Sequence, residues 1–136
     1  MKLIHDTDRI LITENWKKIS PKGMQMVERF YYLLFEKYPK MQALFVHSPY
    51  RQNVKFKDMM DLMIHGLEDT DQLVHILQES GQRHVAYGVQ PDLYEPAGRI
   101  LIQAIAEASG SAWSEELQEA WERLLEKVIE VMSSEH

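Results

Sequence analysis

From Thr7 to Met132 the apolar residues recur mostly at steps of three and four, which gathers them on one side of an α-helix and scatters them across a strand. That regularity confines the chain to helix packed on helix. Strand signals are missing: no Asn-Gly turn separates alternating segments, and β-branched residues do not cluster. Over 7–19, Ile10, Leu11, Ile12, Trp16 and Ile19 fall mostly on one side, with Arg9, Glu14, Lys17 and Lys18 largely on the other. Ser20-Pro21 reads as a fresh start, Ser as a cap and Pro as a residue pre-shaped for the first helical position. The helix that follows carries Met24, Val27, Phe30, Tyr31, Leu34 and Phe35 and ends at Tyr38, because Pro39 disfavours helical geometry in the residue before it. A short turn over 40–45 and a loop over 47–50 come next. The stripe Phe56, Met59, Met60, Met63, Leu67 makes 51–68 amphipathic, with Gly66 and Asp69-Thr70-Asp71 as its stop and the next cap. A shorter helix over 73–84, a corner at 87–91 and two longer helices over 92–108 and 114–132 complete the chain. The expectation is an all-α fold of about seven helices in a single domain, 1–136.

Composition removes several classes of function. With 136 residues the chain can bury one core unaided. Its 15 Lys+Arg against 21 Asp+Glu leave a net charge of −6 with no basic run, so the phosphate-neutralising surface of a nucleic-acid binder is absent. The lack of cysteine rules out a disulfide scaffold, a zinc knuckle, a chain-held iron–sulfur cluster and a thiol nucleophile. Apolar runs are far too short to cross a membrane, and Asp6, Asp8 and Arg9 stand where a signal peptide would be apolar. A cytoplasmic protein without nucleic-acid or membrane partners is expected.

The candidate chemistry reduces to histidine. His5 and His136 lie near the ends, His47 in a loop, His65 one step off its stripe and His75 between Leu73 and Ile76; each reads as a solvated or satisfied side chain. No HExxH, no His pair four apart and no coordinating triplet of acids is present, which argues against a zinc or di-iron site. Spacing leaves Ser-His-Asp chemistry open, although no Gly-x-Ser-x-Gly elbow occurs. His84 differs from the other histidines. It closes its helix between Gly81-Gln82-Arg83 and an aromatic corner, so its imidazole can point across a gap. A lone His in an apolar slot suits an axial ligand of haem, which also requires apolar and aromatic walls and cations or water at its propionates.

Gly81-Gln82-Arg83-His84 with Tyr87-Gly88-Val89, then Tyr94-Glu95-Pro96-Ala97-Gly98 and Ala120-Trp121, join Phe30-Tyr31-Tyr32-Leu33-Leu34-Phe35 and the Pro39 to Phe45 spacing. Together they resemble a single-domain bacterial globin of the group related to the globin half of flavohaemoglobins. The likeness runs from Trp16 to Trp121, and the order of its landmarks is more specific than any one of them. It implies haem b (heme b, iron protoporphyrin IX), with His84 as the proximal iron ligand and Phe45 stacked on the porphyrin. It implies Gln52 as the distal side chain, Phe56 one turn later facing the ligand pocket, and Tyr31 with its hydroxyl reaching iron-bound ligand. Met60 and Val89 would line the pocket, and Lys55 and Arg83 would meet the propionates. The second nitrogen of His84 is expected to donate to a carbonyl near Ser80 or to Tyr94. The acid that completes this proximal group in flavohaemoglobin-like relatives falls at His136, with Glu135 one short, so a weak proximal push is expected.

The resemblance implies a five-coordinate haem globin that binds O2, NO and CO reversibly, for oxygen transport or storage. High O2 affinity and slow release are expected, with Tyr31 and Gln52 as donors to bound O2. An alternative is nitric oxide dioxygenation with an external reductase, since the sequence carries no flavin or NAD-binding domain. A second alternative is a globin-fold interaction or sensor module without haem, and a third is a plain bundle with an incidental histidine. In the ferric state His47 or Tyr31 is an alternative sixth ligand. A monomer or weak homodimer is expected.

Overall fold

A computed structural model describes residues 3–44 and 49–135. Among these, six α-helices follow one another: α1 Asp6–Ile19, α2 Gly23–Lys37, α3 Pro49–His65, α4 Thr70–Ala86, α5 Tyr94–Ser109 and α6 Glu115–Ser133. Short 3-10 segments, Ser20–Lys22, Pro39–Leu44, Gly66–Glu68, Pro91–Leu93 and Gly110–Ala112, bridge them, and no strand occurs among the described residues. Six α-helices stand against the expected number of about seven, and the short turn expected over 40–45 is a 3-10 segment, Pro39–Leu44. No helix there is long and apolar enough to cross a membrane.

Two of the starts are side-chain caps. The Asp69 carboxylate accepts from Gln72 N at 3.2 Å, and the Ser114 hydroxyl accepts from Leu117 N at 3.1 Å. Ser20 behaves differently from its sequence signal. It keeps helical dihedrals (φ −53°, ψ −38°) as the end of α1, and α2 begins three residues later at Gly23. A capping side chain needs the non-helical backbone that Ser20 lacks. The helix expected to be short, α4, spans 17 residues, because Asp69 starts it early and the corner at Gly88 ends it late.

Each helix buries one stripe. In α6 it is Leu117, Ala120, Trp121, Leu124, Leu125, Val128 and Met132, and in α2 it is Met26, Val27, Phe30, Tyr31 and Leu34. The chief packings are α2 on α5, α4 on α6 and α1 on α6, whereas α3 and α4 meet only lightly. That light contact leaves space between them for a cavity.

Polar bonds fix the helix register where burial is deepest. The indole Nε1 of fully buried Trp121 donates to Asn15 Oδ1 at 2.9 Å, and Asn15 Nδ2 donates to the Ser109 hydroxyl at 2.9 Å, so one amide ties α1 to α6 and α5. Asn15→Ala strands that indole N–H in the core. A loss of about 1–3 kcal/mol is expected for an unpaired buried donor, read as a lower midpoint in denaturant unfolding. Arg123 grips buried Asp8 through two bonds of 2.7 and 2.9 Å. Its hydrogen-bonded guanidinium holds the Asp8 carboxyl below the usual range, so this contribution to stability is complete above the ordinary carboxylate range and is lost as the pH falls below it.

Candidate functional site

The end of α4 is built to present His84. Gly88 takes φ 86°, a conformation that L side chains rarely adopt, and the backbone closes on itself there. Gly88 N donates to Val85 O at 3.0 Å and Val89 N donates to His84 O at 3.0 Å, the paired bonds of a Schellman ending. This fold-back carries Val89 toward His84 and turns the chain into α5, whose first residue, Tyr94, sets its ring 5.9 Å from the imidazole in an edge-on arrangement. Tyr87 adds a second edge-on contact at 6.3 Å.

A short bond, His84 Nδ1 to Ser80 O at 2.7 Å, orients the imidazole. A carbonyl only accepts, so Nδ1 carries the hydrogen and Nε2 is left as the nitrogen with the lone pair. This is the Ser80 alternative of the two expected for the second nitrogen. Gly81 is required for a separate reason: a Cβ there would lie 2.9 Å from the Met132 carbonyl oxygen and 3.1 Å from Met132 Cα, so its absence lets α4 seat against the end of α6. From that end Glu135 accepts from Gln82 Nε2 at 2.9 Å, two residues before His84.

A cavity of about 540 Å³ opens between α3 and α4, well within the range of small-molecule sites. Its walls are mostly apolar. It is lined by Tyr31, Gln52, Lys55, Phe56, Met60, Arg83, His84, Val89 and Tyr94, so every described site residue expected from the sequence converges there. Phe45 and His47 lie outside the described residues, as does His136.

On the distal side Gln52 Nε2 donates to the Tyr31 hydroxyl at 3.0 Å. The Tyr31 oxygen is the acceptor in that bond, so its own hydrogen keeps its donor role. The ring is held by an edge-on Phe30 at 5.0 Å, a stacked Phe35 at 5.6 Å and an edge-on Phe56 at 5.6 Å. Burial pushes the Tyr31 phenol from its ordinary 10.0 up to about 12, opposed in part by the Gln52 bond. The folded state therefore keeps a proton that the unfolded chain has already lost. That stability, about 3 kcal/mol at 1.4 kcal/mol per unit, is complete below pH 10 and disappears as the pH rises toward 12. An alkaline absorbance titration should show a tyrosine step near pH 12, and that step should vanish in Tyr31→Phe.

The family model for globins matches residues 28–132. The chain belongs to the globin family. A flavohemoprotein of Oceanobacillus iheyensis is 25% identical over 115 residues, covering 82% of this chain and 28% of its own length. The chain thus spans about a quarter of the bacterial flavohemoproteins it matches. An anaerobic nitrite reductase of Gossypium hirsutum is 24% identical over 149 residues, covering 98% and 91% of the two chains. Among solved structures, an engineered carbene transferase built on a candidate nitric oxide dioxygenase of Rhodothermus marinus has a TM-score of 0.86 at 23% identity, covering 96% and 92%. A hexacoordinated heme protein of an anhydrobiotic tardigrade has a TM-score of 0.86 at 17% identity, covering 97% and 94%. These two structural likenesses establish the fold.

Membership of this family implies a haem cofactor, and the globin's residues fit one. His84 carries its lone pair on Nε2, the cavity walls are apolar and aromatic, and Lys55 and Arg83 lie at the cavity with no ion pair among the described residues. No three of His, Asp and Glu converge as metal ligands among those residues, so His84 is the candidate ligand without a supporting cluster. Sequence reasoning missed several wall residues. Ala97, Leu101 and Gly98 line the cavity from α5, and Leu125, Val128, Ile129 and Met132 from α6. The steps from Tyr94 to Ala97 and Leu101 are three and four, a helical spacing that marks the same face. Trp121, one of the sequence landmarks, is a core residue bonded to Asn15 and lies away from the cavity lining.

Proposed function

We propose that this globin holds haem b with His84 as proximal ligand and binds O2 reversibly, for carriage or storage. The observation that carries the reading is the pairing, within one cavity, of a lone-pair His84 Nε2 on α4 with the Tyr31–Gln52 hydrogen bond between α2 and α3. Haem, when bound, would supply an iron that can take up a diatomic gas such as O2, NO or CO. His84 would hold that iron, and its bond to Ser80 O keeps the ring from rotating away. Lys55 and Arg83, which line the same cavity, would meet the propionates. Phe30, Phe56 and the methionines of α3 keep the distal half dry, which strengthens every polar contact made there. Tyr31 and Gln52 would be the donors to a gas held in the cavity, each charge-assisted bond contributing roughly 1.5–3 kcal/mol.

A second reading, conversion of nitric oxide and O2 to nitrate with an external reductase, follows from the resemblance to flavohaemoglobins, since flavohemoproteins are among the relatives. One experiment separates the two. O2 dissociation is followed by stopped flow, and nitric oxide consumption is measured with and without an added flavin reductase. Slow O2 release with no reductase-dependent turnover supports carriage, and sustained reductase-dependent consumption supports the enzyme. The protein is expected to act in the cytoplasm as a monomer or weak homodimer.

A further inference from the structure

Five of the chain's eight methionines, Met41, Met59, Met60, Met63 and Met132, line the one cavity. Of the described methionines only Met24 and Met26, both on α2, lie away from it. Met59 and Met63 extend the face of α3 that begins with Gln52 and Phe56, and they stand one turn apart on it. In a chain without cysteine the thioether is the most readily oxidised apolar side chain, and these five sulfurs surround the place where a redox cofactor would sit.

Exposure does not single these methionines out. Met59 and Met24 are both half-buried, while Met60, Met63 and Met26 are 3%, 4% and 2% exposed. Ordinary solvent oxidation would therefore treat Met24 and Met59 alike. We propose that the methionine wall, led by Met59, is a modification site at which oxygen from hydrogen peroxide is captured inside the cavity. The inference rests on the haem reading above. Bound haem would activate the peroxide in the cavity, and in the step the O–O bond of peroxide breaks and an S–O bond forms on Met59. The thioether is oxidised by two electrons to the sulfoxide, and the second peroxide oxygen leaves as water. A sulfoxide in this wall is polar where the unmodified side chain was apolar, and sulfoxide reductases restore it, so the wall is renewable.

The test uses the haem-loaded protein, its Soret band confirmed first, treated with a few equivalents of hydrogen peroxide and mapped by peptide mass spectrometry. Sulfoxide is expected at Met59 at about tenfold the level at Met24, with the lead lost when cyanide blocks the iron. Met24 keeping pace with Met59, or a Met59 lead that survives cyanide, overturns the proposal. In Met59→Leu, sulfoxide should rise at Met60 and Met63 and peroxide should bleach the Soret band faster. Unchanged bleaching and no rise at those sites overturn it as well. A preparation with no Soret band overturns the haem reading before peroxide is added, which keeps the two failures apart.

Discussion

Replacing His84 with Gly should yield a protein that leaves the column without a Soret band and melts roughly 10 °C lower than the parent. The imidazole is the proposed bond between chain and iron, and the Ser80 carbonyl at 2.7 Å orients it. A ligand that binds only the folded state stabilises it by mass action, about 2.7 kcal/mol at a hundred times its dissociation constant, and this is the part that disappears. Because a glycine also loosens the last turn of α4, the informative arm is rescue: millimolar imidazole added to His84→Gly with haemin should restore the Soret band. An unchanged spectrum and melting temperature in the variant would sink the assignment.

The second large effect concerns Tyr31. Tyr31→Phe keeps the ring among Phe30, Phe35 and Phe56 and deletes only the hydroxyl that accepts from Gln52. Removing one charge-assisted donor worth roughly 1.5–3 kcal/mol should speed O2 dissociation by a factor on the order of 10 to 100. Far-ultraviolet circular dichroism should not change, since the packing of the ring survives. Stopped-flow displacement of O2 by CO reads the rate directly, and an unaltered rate would remove Tyr31 from the distal pair. Gln52 loses its bonded oxygen in the same variant, so Gln52→Leu measured beside it, with the double variant, yields the coupling between the two donors.

Much of the site was legible because its residues are close in sequence or repeat with the helical period. Gly81, His84, Gly88 and Val89 form one local device: a glycine that lets two helices touch, the proposed ligand, and a left-handed turn that folds the chain back. Gln52, Phe56, Met59 and Met63 could be placed on one face by counting alone. Ser20 was misread as a cap because its side chain is of the right type, while its backbone follows α1. The bonds from Trp121 to Asn15 and from Trp16 Nε1 to Asp61 join residues 106 and 45 positions apart. No local pattern announces such bonds.

Periodicity determined, from the chain alone, that it is all helix, roughly where the helices run and which faces turn inward, because those properties depend on neighbours within a turn or two. Tertiary structure decided that α3 and α4 stay apart, that the gap is lined from five helices, and that the Ser80 carbonyl selects which nitrogen of His84 keeps its lone pair. These depend on how whole helices pack, and a cavity is what remains once every helix has found its neighbours.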